Sequence, residues 1–180
     1  MLYYIAKLHY KIQLKLNKVH FISNSNLTYK NKFRLGDQTT FIFKENSKAI
    51  FGNNVDIRNG FNLVVGKNAT LELADNVIMN NNCSINCLEN IFIGENTLIG
   101  EGVKFYDHNH KYTAAEVSHK EFTTAPIFIG KNCWLGANVL VLKGVTIGDN
   151  VIIGAGCVIH RDVPANSIVV NKQEQIIKSR

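Results

Sequence analysis

Residues 105–112 read FYDHNHKY: an aromatic pair, an aspartate, and two histidines one residue apart. An imidazole can take a proton at neutral pH, so His108 has the right chemistry for a general base acting on a hydroxyl or an amine. His108 and His110 also make a fragment of a metal site, but a single H-x-H pair is weak evidence for one. The four cysteines, Cys83, Cys87, Cys133 and Cys157, lack C-x-x-C spacing and are too few for a disulfide scaffold. No metal is expected. The bland reading of FYDHNHKY is the start of a polar loop that does no chemistry.

The elements that must position this cluster are repeats. From Ile129 the chain divides into sixes: IGKNCW, LGANVL, VLKGVT, IGDNVI, IGAGCV, IHRDVP. Every block opens with Ile, Leu or Val. Position four is Asn132, Asn138, Gly144, Asn150, Gly156 and then Asp162, and position five is always Val or Cys. IGENTL and IGEGVK carry the same frame from Ile93, and looser blocks reach back to about Phe51 with slips in register. Positions one and five suit a narrow core, and Gly, Asn or Asp at position four suits a left-handed corner. Each block is then a short strand and a turn, and stacked coils bury a core that no block could bury alone. The fold predicted is all-β, a parallel β-helix, with Cys133 and Cys157 as small buried hydrophobes. Carried one block beyond Ile99, the frame puts His108 at position four, an exposed corner. The eighteen residues KYTAAEVSHKEFTTAPIF then leave the pattern as an extruded loop near 109–127, beside the imidazole.

At 180 residues, 46% hydrophobic and 19% charged, the chain suits one ordered domain with a short extension. Residues 1–48 hold nine Lys or Arg against Asp37 and Glu45, a net +7 of the overall +6, which leaves −1 for the rest. A basic surface is therefore N-terminal; it reads as a solvated face, or as a contact for an anionic glycan or a membrane surface, and no nucleic-acid partner is expected. Lys7, Lys11, Lys15 and Lys18 among apolar residues predict a helix over 1–20. These lysines interrupt any secretory apolar stretch, and no run approaches the roughly 20 apolar residues of a bilayer span. The cytoplasm is the expected location, with peripheral attachment at the inner membrane face as a variant. The expected divisions are a basic helix and irregular lead-in over 1–48, the β-helix over 49–170 and a tail over 171–180.

The repeat, DHNH, the loop and then PIFIGKNCWLGANVLVLKGVTIGDNVIIGAGCVI resemble the hexapeptide-repeat acyltransferases over roughly residues 50–170, closest to sugar O-acetyltransferases of the galactoside, maltose, capsule and O-antigen kinds. The resemblance implies a left-handed coil, although the general rule for parallel crossovers favours the right hand. It further implies acetyl-CoA as co-substrate, a sugar or polysaccharide hydroxyl as acceptor in capsule or lipopolysaccharide biosynthesis, and a homotrimer with active sites between subunits. On the same basis His108 is the general base and Trp134 lies beside the thioester. Gly136, Ala137 and Ala155 border the pantetheine arm, and Arg161 lies near the phosphates. Asn80, Asn82, Asp107 and His110 fall near the acceptor, with orientation of an imidazole as a second role for Asp107. One departure is the tail: VVNKQEQIIK stands where such proteins end Gly-x-Pro-Ala. The alternatives are an N-acetyltransferase of a nucleotide-linked amino sugar, a γ-carbonic-anhydrase-like hydratase, and a non-catalytic β-helix. The 50 N-terminal residues hold no G-x-G-x-x-G nucleotide fingerprint.

Overall fold

The computed structural model describes residues 19–21, 26–172 and 176–178, and the regular elements there are all strands. Short strands alternate inward and outward residues. In Thr40–Phe43, for example, Phe41 and Phe43 are fully buried while Thr40 and Ile42 are half-buried. Each strand pairs in parallel with its counterpart one coil away, which builds three long faces. The first face runs from Val19–Phe21 through Thr40–Phe43, Asn62–Val65, Ser84–Cys87, Lys104–Tyr106 and Leu140–Leu142 to Val158–Ile159. The second runs from Asn26–Tyr29 to Thr146–Ile147, and the third from Phe33–Leu35 to Ile168–Val169. The core is the column of side chains between them.

The corners follow the repeat. Asn132, Asn138, Gly144, Asn150 and Gly156 all adopt positive φ, between 55° and 78°. Position-one and position-five residues, such as Val139, Val141, Val151 and Ile153, are buried, as are all four cysteines. Asp162 and His108 do not adopt the left-handed conformation expected of their place in the frame.

The coil tapers, and this explains the register slips. A ladder of side-chain amides along the corner between the second and third faces measures it. Asn54 donates to Asn76 22 residues on, Asn76 to Asn96 after 20, Asn132 to Asn150 after 18, and Asn150 to Asn166 after 16. A wide turn sends three residues inward from the first face (Thr39, Phe41, Phe43) and three from the second (Ser47, Ala49, Phe51). A narrow turn sends two from each, Val139 and Val141, then Val145 and Ile147. Phenylalanines therefore fill the wide end, with Phe41 edge-on to both Phe43 and Phe61 at 6.0 and 5.8 Å, and Val, Ile and Cys fill the narrow one. A strict six-residue frame cannot follow a turn of 22.

The domain boundary expected at residue 49 is too late. Strands Asn26–Tyr29, Phe33–Leu35 and Thr40–Phe43 already belong to the three faces, so the supposed irregular lead-in is coil. The helix expected over 1–20 lies almost wholly outside the described residues, and its last two fall in the strand Val19–Phe21. At the other end Asn171 ties the departing tail to the coil through a 2.9 Å bond to the Gly156 carbonyl.

Candidate active site

The expected loop is an antiparallel hairpin, His108–Tyr112 against Val117–Thr124, with an irregularity between His110 and Tyr112. It leaves the coil at the corner between the first and second faces. His108 is not an exposed corner residue. It opens the hairpin, and its side chain is only 16% accessible. The reason lies one residue earlier: Asp107 takes a third inward place on the first face after Val103 and Phe105, which turns His108 outward into the hairpin root. Tyr106 and Phe122 flank the imidazole edge-on, with centroids 6.1 and 5.3 Å away.

Asp107, expected near the acceptor, is fully buried and so lies behind the imidazole rather than in contact with a substrate. Its Oδ1 accepts from the Leu88 amide at 2.8 Å, its Oδ2 accepts from the Glu89 amide at 2.8 Å, and Oδ1 stands 3.3 Å from His108 Nδ1. His110 is exposed. Its Nδ1 is 2.8 Å from the Ser118 carbonyl, so Nδ1–H donates there and pins the hairpin. A cleft of about 540 Å³ opens under the hairpin, walled by Asn109, His110, Tyr112, Glu116, Thr123 and Lys143. His108 is not among its walls, so in one chain the cleft and the imidazole are neighbours rather than one site.

Other predicted residues gather on a different edge, the corner between the third and first faces. Here a capping device changes along the coil. In the wide turns a side chain from the coil above satisfies the amide below: Asp37 N–H donates to Asn59 at 2.9 Å and Asn59 N–H to Asn81 at 3.2 Å. Higher up the column the caps become Ala137 and Ala155, whose side chains accept nothing. Among the described residues the amides of Ala137 and Ala155 meet no protein acceptor. Gly136 lets the coils close up here: a Cβ on it would come within 2.7 Å of the Ala155 nitrogen. The result is a smooth strip with two outward donors. Trp134, half exposed, stands on the third face one strand before this strip.

Asn80 and Asn82 sit on the same edge, two coils lower, and both have structural work. Asn80 Oδ1 accepts from the Asn81 amide at 2.9 Å and Arg58 at 3.3 Å, while Asn82 is a left-handed corner whose amide reaches Glu101 at 3.4 Å. Arg161 is exposed, carries no ion pair among the described residues and belongs to the His108 edge. A single chain therefore brings His108, Asp107, His110 and Arg161 to one edge, and Trp134, Gly136, Ala137, Ala155, Asn80 and Asn82 to another. The resemblance pointed to Ala137 and Ala155, and the change from Asn59 and Asn81 to these alanines is the signal in the sequence itself.

Residues 126–161 match the bacterial transferase hexapeptide (six repeats) family. That stretch carries the hexapeptide repeat of this family. A galactoside O-acetyltransferase of Escherichia coli is 35% identical over 85 residues, 47% of this chain and 42% of that protein. A lipopolysaccharide biosynthesis O-acetyl transferase of the same organism, WbbJ, described as putative, is 33% identical over 98 residues, 47% of this chain and 48% of that one. The chain thus spans less than half the length of these curated relatives. The hexapeptide-repeat coil also resembles AntD, an N-acyltransferase from Bacillus cereus solved with dTDP and coenzyme A, at a TM-score of 0.66 and 16% identity over 87% of this chain and 83% of that one. The fold is accordingly the left-handed parallel β-helix that the resemblance implied.

Proposed function

We propose that the protein transfers an acetyl group from acetyl-CoA to a sugar hydroxyl, with His108 as general base, in a homotrimer whose sites lie between subunits. The observation that carries the reading is the strip of unpaired amides at Ala137 and Ala155. Neutral donors on a smooth edge suit an extended amide-bearing chain such as pantetheine, and they sit beside Trp134, whose ring can cover a thioester. Two of the relatives, at 35% and 33% identity, are named as O-acetyltransferases, which favours a hydroxyl acceptor over an amine. Attack by the acceptor oxygen on the thioester carbonyl forms the new C–O bond, Nε2 of His108 takes the hydroxyl proton, and coenzyme A leaves as the thiol. The polar cleft under the hairpin suits a hydroxyl-rich acceptor. Surface polysaccharide is the acceptor class proposed.

The division of the site between two edges of one chain supports the trimer. Base and amide strip can meet only if one subunit brings its hairpin edge to the other edge of a neighbour. The outward column Leu98, Trp134, Ile152 and Ile168 on the third face, 37–70% exposed, supplies apolar surface for such a contact.

Thiol release from acetyl-CoA over a panel of neutral, acidic and amino sugars tests the function. H108A is expected to keep the fold and lose roughly 10²–10⁴-fold in turnover. Turnover of H108A close to that of the wild type would remove His108 from the mechanism. Transfer to amino sugars alone would favour the N-acetyltransferase. Zinc content of the purified protein tests the hydratase alternative.

A further inference from the structure

The corner from which the hairpin leaves is also the place where the coil loses its hydrogen-bond ladder. Below it, the Lys44 amide donates to the Val65 carbonyl at 2.9 Å and the Gly66 amide to the Cys87 carbonyl at 2.7 Å. The next donor in the column is Leu88, and its acceptor by register is the carbonyl of Asp107. That carbonyl has turned into the hairpin, where it accepts from the Ala125 amide at 2.9 Å. The buried carboxyl group of Asp107 substitutes for it and serves both Leu88 and Glu89. With both oxygens receiving backbone N–H groups, the carboxyl faces its remaining neighbour, His108, as an acceptor. Nδ1 of His108 must then be the ring nitrogen that carries hydrogen, and Nε2 the one with a lone pair. The 3.3 Å contact is long for a charge-assisted bond, so its effect is orientation more than binding energy.

We infer that Asp107 is the positioning residue of His108: one buried carboxylate ends the ladder where the coil narrows and sets the imidazole as its Nδ1–H tautomer. The inference rests on the acyl-transfer reading for its catalytic meaning but not for its geometry. D107N separates the two duties. An amide oxygen in the Oδ2 place keeps the Glu89 bond and the longer Leu88 contact, 2.8 and 3.0 Å in the aspartate, so the NH2 group takes the Oδ1 place, faces Nδ1 and donates to it. Nδ1 becomes the acceptor, the ring carries its hydrogen on Nε2, and the base is lost.

Long-range ¹H–¹⁵N spectra of the full chain, at a pH where imidazoles are neutral and with the His108 signals assigned through H108Q, read the tautomer directly. The expected result is Nδ1–H in the wild type and Nε2–H in D107N. Turnover of D107N should fall by roughly 10²–10⁴-fold with the KM for acetyl-CoA unchanged. A wild-type His108 carrying its hydrogen on Nε2 would overturn the inference without any variant having to fold, and so would a D107N protein with the Nδ1–H ring and full turnover. A wild-type Nδ1–H ring in a protein that transfers acetyl to no acceptor would support the positioning by Asp107 while sinking the transferase reading.

Discussion

Ala155→Asn should close the amide strip with the device that the chain itself uses lower down. In the wide turns an asparagine one coil above caps the amide below, with Asn59 accepting from Asp37 at 2.9 Å and Asn81 from Asn59 at 3.2 Å. Ala155 stands over Ala137 in the same column and is exposed, so an asparagine has room to reach the Ala137 amide. A hydrogen bond of this kind is worth about 0.5–1.5 kcal/mol net, with the lower end apt for a surface position. In a domain of this size that corresponds to a rise of about 1–6 °C in the melting midpoint of the free protein. The same bond removes a donor from the cofactor, so acetyl-CoA affinity should fall by about 2–13-fold for that interaction alone. Melting curves with and without acetyl-CoA, together with calorimetric titration, measure both effects. The decisive signature is their opposite sign, a more stable protein that binds its cofactor less well. An A155N protein with unchanged acetyl-CoA affinity would refute the assignment of this strip to the pantetheine arm. Mixed oligomers of H108A and A155N, each defective alone, should recover part of the turnover if the two edges meet between subunits.

Two further outcomes concern the core. Phe61→Ala empties a fully buried position in the wide part of the coil and should cost about 3–5 kcal/mol, read by urea unfolding; a loss under 1 kcal/mol would mean that the wide turns collapse around small side chains. Burial pushes the Cys83 thiol up to about 11, and burial followed by the charge of Asp107 pushes Cys87 up as well. Both should resist thiol reagents at neutral pH in the native protein. Because the folded state favours the protonated thiols, this contribution to stability is complete below the ordinary thiol value near 8.5 and declines as pH rises above it. Unfolding free energies measured from neutral to alkaline pH check the sign, and a stability that rose across that window would contradict it.

Hexapeptide spacing in the sequence was enough to determine the parallel coil, the burial of Cys133 and Cys157 and the left-handed corners at Asn132, Asn138, Gly144, Asn150 and Gly156, because each depends on contacts within one block and its equivalent. It also marked His108 as the break in the pattern. It misjudged where that residue points, because a fixed six-residue frame assumes a turn of constant circumference. The turn narrows from 22 residues to 16, and an aspartate occupies the step. Tertiary structure alone decided three things: that Asp107 is buried against the amides of Leu88 and Glu89, that Ala137 and Ala155 leave their amides open, and that these two features lie on different edges of the coil. Each depends on residues in neighbouring coils, 18 or 19 positions apart in the chain, meeting across a corner. Local propensity and periodicity carry no information about such meetings until the circumference of every turn is known.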